Sequence, residues 1–434
     1  MTDPTLPRGD TEIRPWRRTA AAMAVKGLNT ALNFAVTIVL ARLLGPASYG
    51  IYAFALASMS LLASPMHMGL PTLLVREVAA IEVRKAWGEL RGMIRASFGL
   101  AGLVSLVVTM SAGLGLWFFR HHLPPAELRA FGAMLVLLNI RTISVVASGV
   151  IMGCRRVLAA QIPQHILSPS LLLVLVVTAH FFTTLDAATA IGLYALASFV
   201  TLIVLLAILR RHLPREILSE PRRYRLRAWL VSLLPMTMLA GLEIFTNQLD
   251  IVMLGLLSEN TQVGYYRVAF SGAALILLSR MVSDMVIAPQ LARFWQQGDL
   301  TALQSLIRWS SRIGLIAAAP VTAALLIFGS ELIELAYGTP YLPAYAVMMV
   351  LCLGQVVNAA TGPVQSALQM TGHERETVKA AVGAGVTNIV LNAILIPPYG
   401  ALGAAIATAT SLTGVNIYMS RRLWIRAKLW SPAI

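Results

Sequence analysis

The chain has 434 residues, of which 57% are hydrophobic and only 12% are charged, about half the charged fraction of a typical soluble protein. Its net charge of +15 is typical of nucleic-acid-binding proteins, but the basic residues lie at the ends of apolar stretches, so we expect no nucleic-acid partner. Composition therefore indicates that lipid surrounds most of this protein.

Twelve apolar stretches cover almost the whole chain, each close to the roughly 20 residues that a helix needs to cross hydrocarbon. They are 20–41, 51–74, 96–119, 131–152, 162–182, 187–209, 229–257, 263–288, 313–333, 344–369, 380–396 and 401–420. The last two form one uncharged stretch that the prolines at 397–398 and Gly400 divide. We predict an all-α polytopic membrane protein with about 12 transmembrane helices. The predicted outer loops are short, and catalytic and metal-site motifs are absent, so we do not expect an enzyme.

The basic residues predict the orientation of the chain. With a cytoplasmic N-terminus, the few Lys and Arg residues near the outer ends of spans are Arg42, Arg120, Arg129 and Arg267. Arg141 and Arg280 lie within spans, and the rest of the 34 lie on the cytoplasmic side. This bias follows the positive-inside rule. We therefore expect a multi-pass protein of the bacterial inner membrane with both termini in the cytoplasm.

An internal repeat suggests two halves. Gly50-Ile51-Tyr52 follows span 1 and Gly264-Tyr265-Tyr266 follows span 7, each at the start of the next helix. Between the halves lies a basic segment, 210–227. We predict a cytoplasmic N-terminal segment 1–19, a six-helix bundle 20–209, a linker 210–228, a second six-helix bundle 229–420 and a cytoplasmic tail 421–434. Duplicated halves are common in transporters, which place the substrate site between them.

Ionisable residues inside spans are the first candidates for a site, because each costs about 2.5–3.5 kcal/mol to insert. Arg141 lies deep in span 4, and the interiors of spans 1–6 contain no acidic residue. Arg141 therefore requires either a carboxylate from spans 7–8 or an anionic ligand. We favour an anion, because a guanidinium matches phosphate geometry. Arg280 forms an i, i+4 pair with Asp284 in span 8, which suits an intrahelical ion pair or a substrate contact.

In span 7, Glu243, Asn247 and Asp250 fall at i, i+4 and i+7 and therefore share one helix face. One interpretation is a cavity-lining stripe that binds a proton or a sodium ion. The other is that Glu243 or Asp250 pairs with an arginine of a neighbouring helix. The sequence leaves both open.

Amide side chains form further polar faces. The largest, in span 10, has steps of three and four residues and predicts one continuous face: Gln355, Asn358, Gly362, Gln365 and Gln369. Span 1 carries a similar face that includes Asn33, and span 11 carries Asn388 and Asn392. Such residues either bond helices together or line a water-filled cavity. Helix bonding suits span 11, and cavity lining suits spans 1 and 10.

Several longer motifs resemble those of the polysaccharide transporter family, the Wzx-type flippases of the multidrug/oligosaccharidyl-lipid/polysaccharide (MOP) exporter superfamily. They are ARLLGPASYGIY at 41–52, DIVMLG at 250–255, VGYY at 263–266, GQVVN at 354–358, MTGHE at 370–374 and PYGALGAAIAT at 398–408. The resemblance implies two six-helix bundles around a central, cationic cavity, a MOP/MATE-like fold. Members of the family move polyprenyl-diphosphate-linked oligosaccharides from the cytoplasmic to the periplasmic leaflet.

The sequence thus predicts an alternating-access flippase for a lipid-linked O-antigen, capsule or exopolysaccharide repeat unit. The diphosphate would be held by Arg141, Arg280 and Arg267. The sugar would contact Asn33, Gln355, Asn358, Gln365 and Asn388. Glu243 or Asp250 would couple transport to protons or sodium, with no other cofactor. Membrane lipids and other polysaccharide-assembly proteins are the further expected partners.

The main alternative is a cation-coupled multidrug or small-molecule exporter of the same superfamily, which would share the fold. Such an exporter usually needs a carboxylate for its cationic cargo or its coupling ion, often in the first half. The spans of the first half contain none, which disfavours this alternative.

Overall fold

The computed structural model describes residues 15–67, 69–213, 215–218 and 220–431, and these form thirteen α-helices and no β-strand. Side chains are described for these residues except at 15–23, 65–67, 215, 218, 235, 238–240, 242, 243, 246, 277–286, 288 and 289. The helices are α1 Pro15–His67, α2 Gly69–Arg84, α3 Trp87–Phe119, α4 Pro125–Gly153, α5 Val157–Ile162, α6 Ser168–His180, α7 Ala187–His212, α8 Leu226–Leu257, α9 Asn260–Gln297, α10 Leu300–Tyr337, α11 Ala344–Thr361, α12 Val364–Met370 and α13 Glu374–Ala427.

The helices follow the predicted spans, because long uncharged runs satisfy their backbone hydrogen bonds only as helix in a lipid environment. The two longest helices each hold two spans. α1 bends at Gly45, with φ 73° and ψ 169°, and α13 bends at Gly400, with φ 56° and ψ −129°. Eight stretches of the described chain are long and apolar enough to cross a membrane, α1 and α13 each counting as one. The prediction of an all-α polytopic membrane fold is confirmed.

Two predicted spans change helix type or turn within their length, and in span 10 the prediction of one continuous polar face was wrong. Span 5 passes from α5 through a π-helical turn, Pro163–Leu167, into α6. Span 10 ends as α11 at Thr361, and the chain turns at Gly362, with φ 71° and ψ −159°, before α12. Pro163 and Pro363 have no N–H to continue a helical ladder. Because of the second break, Gln365 and Gln369 do not continue the face of Gln355.

Contacts group the described chain into two compact units. Unit 1 takes the described residues up to Val39 together with Leu62–Leu242. Its central helix is α4, which packs against α2, α3 and α7. Small residues of α4 allow this close packing, because Gly149 and Gly153 face Leu74 and Val78 of α2. Small-residue contacts of this kind drive helix association where lipid removes the usual hydrophobic force.

Unit 2 takes Leu40–Leu61 together with Glu243–Ile434. Its central helix is α11, which packs against α9, α10 and α13. Within this unit the two Gly-x-Tyr motifs meet: a Cβ at Gly50 would clash with the carbonyl of Asn260, and one at Gly264 would clash with the carbonyl of Pro46. The Tyr341 hydroxyl also donates to the Ala41 carbonyl at 2.8 Å. The bundle boundaries 20–209 and 229–420 stay a prediction.

Candidate functional site

Arg141 is half-buried in unit 1, and its direct side-chain partner within the described chain is neutral. It projects from α4 towards α7, where its Nη1 donates to the Tyr194 hydroxyl at 2.5 Å. Its Cζ lies 5.5 Å from the centroid of the same Tyr194 ring, a cation–π distance. The buried Nε has no hydrogen-bond partner among the described residues, and no described carboxylate forms an ion pair with Arg141. A buried donor without an acceptor is costly, so this guanidinium is prepared for a further acceptor.

A small polar cavity adjoins Arg141. It measures about 20 Å³ and is lined by Ser144, Val145, Gln164, Ser168, Ser198 and Thr201. The Ser198 hydroxyl is buried and lacks a hydrogen-bond partner within the described chain. The π-helical turn carries Gln164, whose Nε2 donates to the Ser144 carbonyl at 3.1 Å. This volume is enough for roughly one water molecule, and its walls offer hydroxyl and amide groups.

Further positive charge lies near this cavity. Arg141 and Lys26 are both close enough to His165, on the π-helical turn, for their charges to act on it. The cavity itself is lined by one cation, Arg141, together with hydroxyls and an amide. An arrangement of donors without a counter-ion is chemically suited to an anion, and a guanidinium favours phosphate or carboxylate oxygens.

Asp250 forms the second site, in unit 2, and it too has only neutral partners. The side chain is 6% exposed. It accepts hydrogen bonds from the Tyr266 hydroxyl at 2.8 Å, from Thr408 Oγ1 at 2.7 Å and from Asn392 Nδ2 at 2.7 Å. No cation among the described residues forms an ion pair with it. Within the described chain its charge is therefore offset by hydrogen bonds alone, which leaves room for a cation to bind beside it.

Amide oxygens lie beside the Asp250 carboxylate. Asn392 donates to Asn388 Oδ1 at 2.9 Å, and its own Oδ1 is buried without a hydrogen-bond partner in the described chain. Together with Thr408, these side chains form a hydrogen-bonded polar cluster with Asp250 on α8 and α13. Carboxylate, amide and hydroxyl oxygens are the ligands that hard cations prefer. The cluster can therefore hold either a proton on Asp250 or a small cation.

The remaining charged candidates are less defined. Arg267 is half-buried on α9, and its charge acts on Tyr266 and Tyr337. The side chains of Glu243, Arg280 and Asp284 lie outside the described residues. Their roles stay predictions.

The amide candidates separate into two groups. Asn358 is buried between helices: its Nδ2 donates to Gln355 Oε1 at 3.1 Å, and its Oδ1 accepts from Asn416 Nδ2 at 3.1 Å. Asn388 is likewise engaged, as the acceptor for Asn392. Asn33 and Gln365 are exposed, and Asn33 bonds only within α1, to Asn29. A sugar-binding role for any of these residues stays a prediction.

Several residues of these sites were not anticipated. Tyr194, Tyr266, Thr408 and Asn416 supply contacts to Arg141, Asp250 or Asn358. Single hydroxyls inside apolar spans give no periodic signal, because Thr and Tyr are ordinary in membrane helices. The signal that existed was their position: Tyr266 and Thr408 both end motifs that resemble those of the transporter family.

Comparison with known proteins adds a family and a fold. The sequence matches the family described as "Polysaccharide biosynthesis protein" over residues 16–295. It is 25% identical over 167 residues to the probable low-salt glycan biosynthesis flippase Agl15 of Haloferax volcanii. That match covers 38% of this chain and 35% of the relative, so the chain matches about a third of that protein's length.

Solved structures resemble nearly the whole chain. An inward-facing multidrug-resistance MATE family transporter of the MOP superfamily superposes with a TM-score of 0.75 at 14% identity, covering 92% of this chain and 94% of the other. The lipid II flippase MurJ in an inward closed conformation gives 0.70 at 13% identity, covering 94% and 87%. At these identities the likeness establishes the fold alone, and it confirms the predicted MOP-like architecture.

Proposed function

Because the chain belongs to the polysaccharide biosynthesis protein family, we propose that it is a flippase that carries a polyprenyl-diphosphate-linked oligosaccharide across the bacterial inner membrane by alternating access. The observation that carries this proposal is the half-buried guanidinium of Arg141, which has a free Nε–H and no counter-ion among the described residues. A diphosphate supplies the missing acceptors. The names of the glycan-flippase relative and of the lipid II flippase neighbour support a lipid-linked cargo.

The head group is the part of the cargo that hydrocarbon opposes most strongly, because each unpaired charge costs several kcal/mol in lipid. Arg141 would balance part of the diphosphate charge, and the hydroxyls around it would donate to the remaining oxygens. A diphosphate is larger than the cavity of about 20 Å³, so binding requires the walls around Arg141 to separate. A diphosphate-binding role for Arg280 and Arg267, both in unit 2, stays part of the proposal.

Transport against a gradient needs an energy source, and Asp250 would supply the coupling. A proton or sodium ion that reaches this carboxylate neutralises a buried charge held by three neutral donors. Neutralisation changes the strength of hydrogen bonds that join α8, α9 and α13, because bonds to an ionised group are about twice as strong as neutral ones. Ion arrival would therefore bias unit 2 between two packing arrangements. Glu243, seven residues earlier on α8, would serve the same path.

The sugar would contact the amide side chains that the sequence predicts for it. Asn33 and Gln365 are exposed and available for sugar hydroxyls. Gln355 and Asn358 already bond to one another, and Asn388 bonds to Asn392. These three would exchange an internal hydrogen bond for one to sugar, a nearly balanced change in energy. With the predicted topology, both termini would face the cytoplasm, where other polysaccharide-assembly proteins would deliver the substrate.

Leaflet-specific labelling tests the proposal. Purified protein is placed in proteoliposomes that carry a polyprenyl-diphosphate oligosaccharide, and a lectin or periodate added outside reports the accessible sugar. We expect a sodium or proton gradient to change the accessible fraction, and protein-free liposomes to show no change. Transport of a cationic dye with no movement of the lipid-linked sugar would instead establish the multidrug exporter.

A further inference from the structure

A long apolar groove lies on unit 1, away from the residues discussed so far. It is formed by α2, α3 and the start of α8, and its volume is about 480 Å³, within the usual range of small-molecule sites. Its apolar walls include Leu70, Leu73, Leu100, Leu103, Leu230 and Leu233. Leu103 and Leu230 are 61% and 52% exposed, so the groove is open along its length.

The groove has one basic end. Its wall on α3 runs over 93–103, about 15 Å of helix, which is half of a hydrocarbon core of about 30 Å. Arg95 and Tyr224 line the end that the charge distribution places in the cytoplasm. Arg95 is exposed, and no ion pair to it occurs among the described residues. The groove is therefore one leaflet deep, apolar within and cationic at its mouth.

A second cleft continues the basic end. It measures about 570 Å³, shares Tyr224 and Leu226 with the groove, and adds Arg225 and Arg227. Arg225 lies 3.7 Å from Glu89, which also binds Arg84, so part of its charge is already balanced. Arg227 is exposed with no ion pair to any described residue. The mouth thus offers Arg95 and Arg227 to an anion that sits above an apolar chain.

Residues 220–223, which precede α8, hydrogen-bond to the start of α3 and hold the basic mouth of the groove in place. The Arg223 amide donates to the Gly88 carbonyl at 3.0 Å, and the Gly88 amide donates to Glu220 Oε2 at 2.7 Å. Arg91 also donates to the Glu220 carbonyl at 3.0 Å. A Cβ at Gly92 would clash with the Arg223 carbonyl, so the glycine permits this contact. Within the predicted linker 210–228, Glu220 and Arg223 are thus bound along α3, which fixes Tyr224 and Leu226 at the groove.

We infer that this groove holds the isoprenoid chain of the lipid-linked substrate on its arrival from the cytoplasmic leaflet, with the phosphates at Arg95 and Arg227 before they reach Arg141. The inference rests on the proposed function for the identity of the lipid. The apolar walls and the basic mouth of the groove support an amphipathic lipid with an anionic head, of which the groove would hold the part of the apolar tail nearest the head. The groove would receive the substrate from the cytoplasmic leaflet and keep the tail in contact with lipid.

Filling the groove tests the inference directly. Gly99 lines it and has open space where a Cβ would be, so Gly99→Leu fills the groove without a clash. Gly115 has the same open space on α3 but lies about 24 Å further along and on the opposite face, so Gly115→Leu is the matched control. The probe is a photoreactive isoprenyl diphosphate, presented to purified protein in nanodiscs and mapped by mass spectrometry.

We expect the wild type and Gly115→Leu to be labelled on residues 93–103 and 226–233. In Gly99→Leu the yield of labelling on these residues should be at least fivefold lower. Arg95→Gln should weaken labelling by the diphosphate probe severalfold while leaving labelling by a photoreactive isoprenyl alcohol unchanged. If Gly99→Leu lowers the melting temperature, Leu230→Trp fills the groove from α8, and Leu234→Trp, which is exposed but outside the groove, is its control.

Two results would overturn the inference. One is labelling of Leu230→Trp and Gly99→Leu at the wild-type level. The other is displacement of the probe by phosphatidylglycerol as effectively as by unlabelled isoprenyl diphosphate, which would make the groove an ordinary acyl-chain site. Both are binding readouts, so they are distinguishable from a failure of the proposed function, which the leaflet assay reports.

Discussion

Arg141 in unit 1 and Asp250 in unit 2 are opposite in charge and alike in surroundings. Each lies inside a membrane helix, bonds to neutral side chains, and has no counter-ion among the described residues. Beside the cation an N–H is left without an acceptor, and beside the anion the Asn392 carbonyl is left without a donor. Unit 1 therefore suits an anionic ligand and unit 2 a cationic one.

Ionisable groups with a structural role look different. Arg129 and Asp186 of unit 1 lie 3.3 Å apart at the surface, and Asp186 caps α7. Glu376 of unit 2 has Lys379 at 3.2 Å and Arg422 at 3.2 Å. These charges are paired within the protein and need nothing further. The difference teaches that a missing partner, rather than burial alone, separates the candidate ligand sites from the scaffold.

The largest effect is expected for Asp250→Asn, which keeps the shape of the side chain and removes its charge. Ion-driven transport should fall to background. If sodium is the coupling ion, sodium at 100 times its Kd stabilises the wild type by about 2.7 kcal/mol, and this stabilisation should vanish in the variant. Thermal unfolding in sodium and in choline chloride measures it. Asp299→Asn, at the exposed cap of α10, is the control and should retain the wild-type response.

A smaller effect is expected for Arg141→Gln, which removes the cation of unit 1. A hydrogen bond to a charged group contributes about 1.5–3 kcal/mol, so transport of the lipid-linked sugar at low substrate concentration should fall roughly tenfold to a hundredfold. Arg76→Gln removes an exposed arginine that pairs with Glu77 and should leave transport unchanged. Equal rates for the two variants in the leaflet assay would contradict an anion site in unit 1.

Thr408→Val sharpens the comparison within unit 2, because it removes one oxygen ligand and one donor to Asp250 while keeping the volume. A neutral hydrogen bond contributes about 0.5–1.5 kcal/mol, so the affinity for the coupling ion should fall about twofold to tenfold. Thr408→Ser retains the hydroxyl and should remain near the wild type. Ion titrations of transport rate measure the difference, and an unchanged affinity in Thr408→Val would remove Thr408 from the ion site.

The smallest effect is expected at Asp186, an aspartate whose role is structural. Burial raises its pKa, but hydrogen bonds from Thr189 and the charge of Arg129 outweigh it, so the pKa lies below its ordinary value. A carboxyl with a lowered pKa stabilises the folded state above that ordinary value, and the contribution disappears as pH falls through the lowered pKa. The melting temperature of the wild type should therefore fall more steeply with decreasing pH below about pH 4 than that of Asp186→Asn. Transport at neutral pH should be unaffected, and parallel melting curves would contradict the assignment.

Much of the fold could be predicted from the sequence, because hydropathy and charge bias are strong signals in membrane proteins. The positions where a helix breaks were harder to predict than the helices themselves. The steps of three and four residues from Gln355 to Gln369 fit a single helix face, and periodicity could not show that Gly362 and Pro363 interrupt it. The division at Gly400 was visible, because two prolines lay beside it in an overlong apolar run.

The sequence identified the charged residues of the candidate sites, but it did not identify the side chains that hydrogen-bond to them. Arg141 and Asp250 stood out because an ionisable residue in a span is rare. Tyr194 and Thr408 did not, because the contacts that give them a role join helices distant in sequence. Whether a buried charge is paired depends on those contacts, and the amino-acid pattern of one helix does not determine them.

The most direct measurement is the affinity of purified wild type and Arg141→Gln for two ligands that differ only in the head group, a polyprenyl diphosphate and the corresponding polyprenol. We predict that the wild type prefers the diphosphate at least tenfold and that Arg141→Gln loses most of this preference, keeping only the part that Arg95 and Arg227 contribute, while binding the polyprenol unchanged. An equal preference in both proteins would show that the guanidinium of Arg141 does not receive the phosphates.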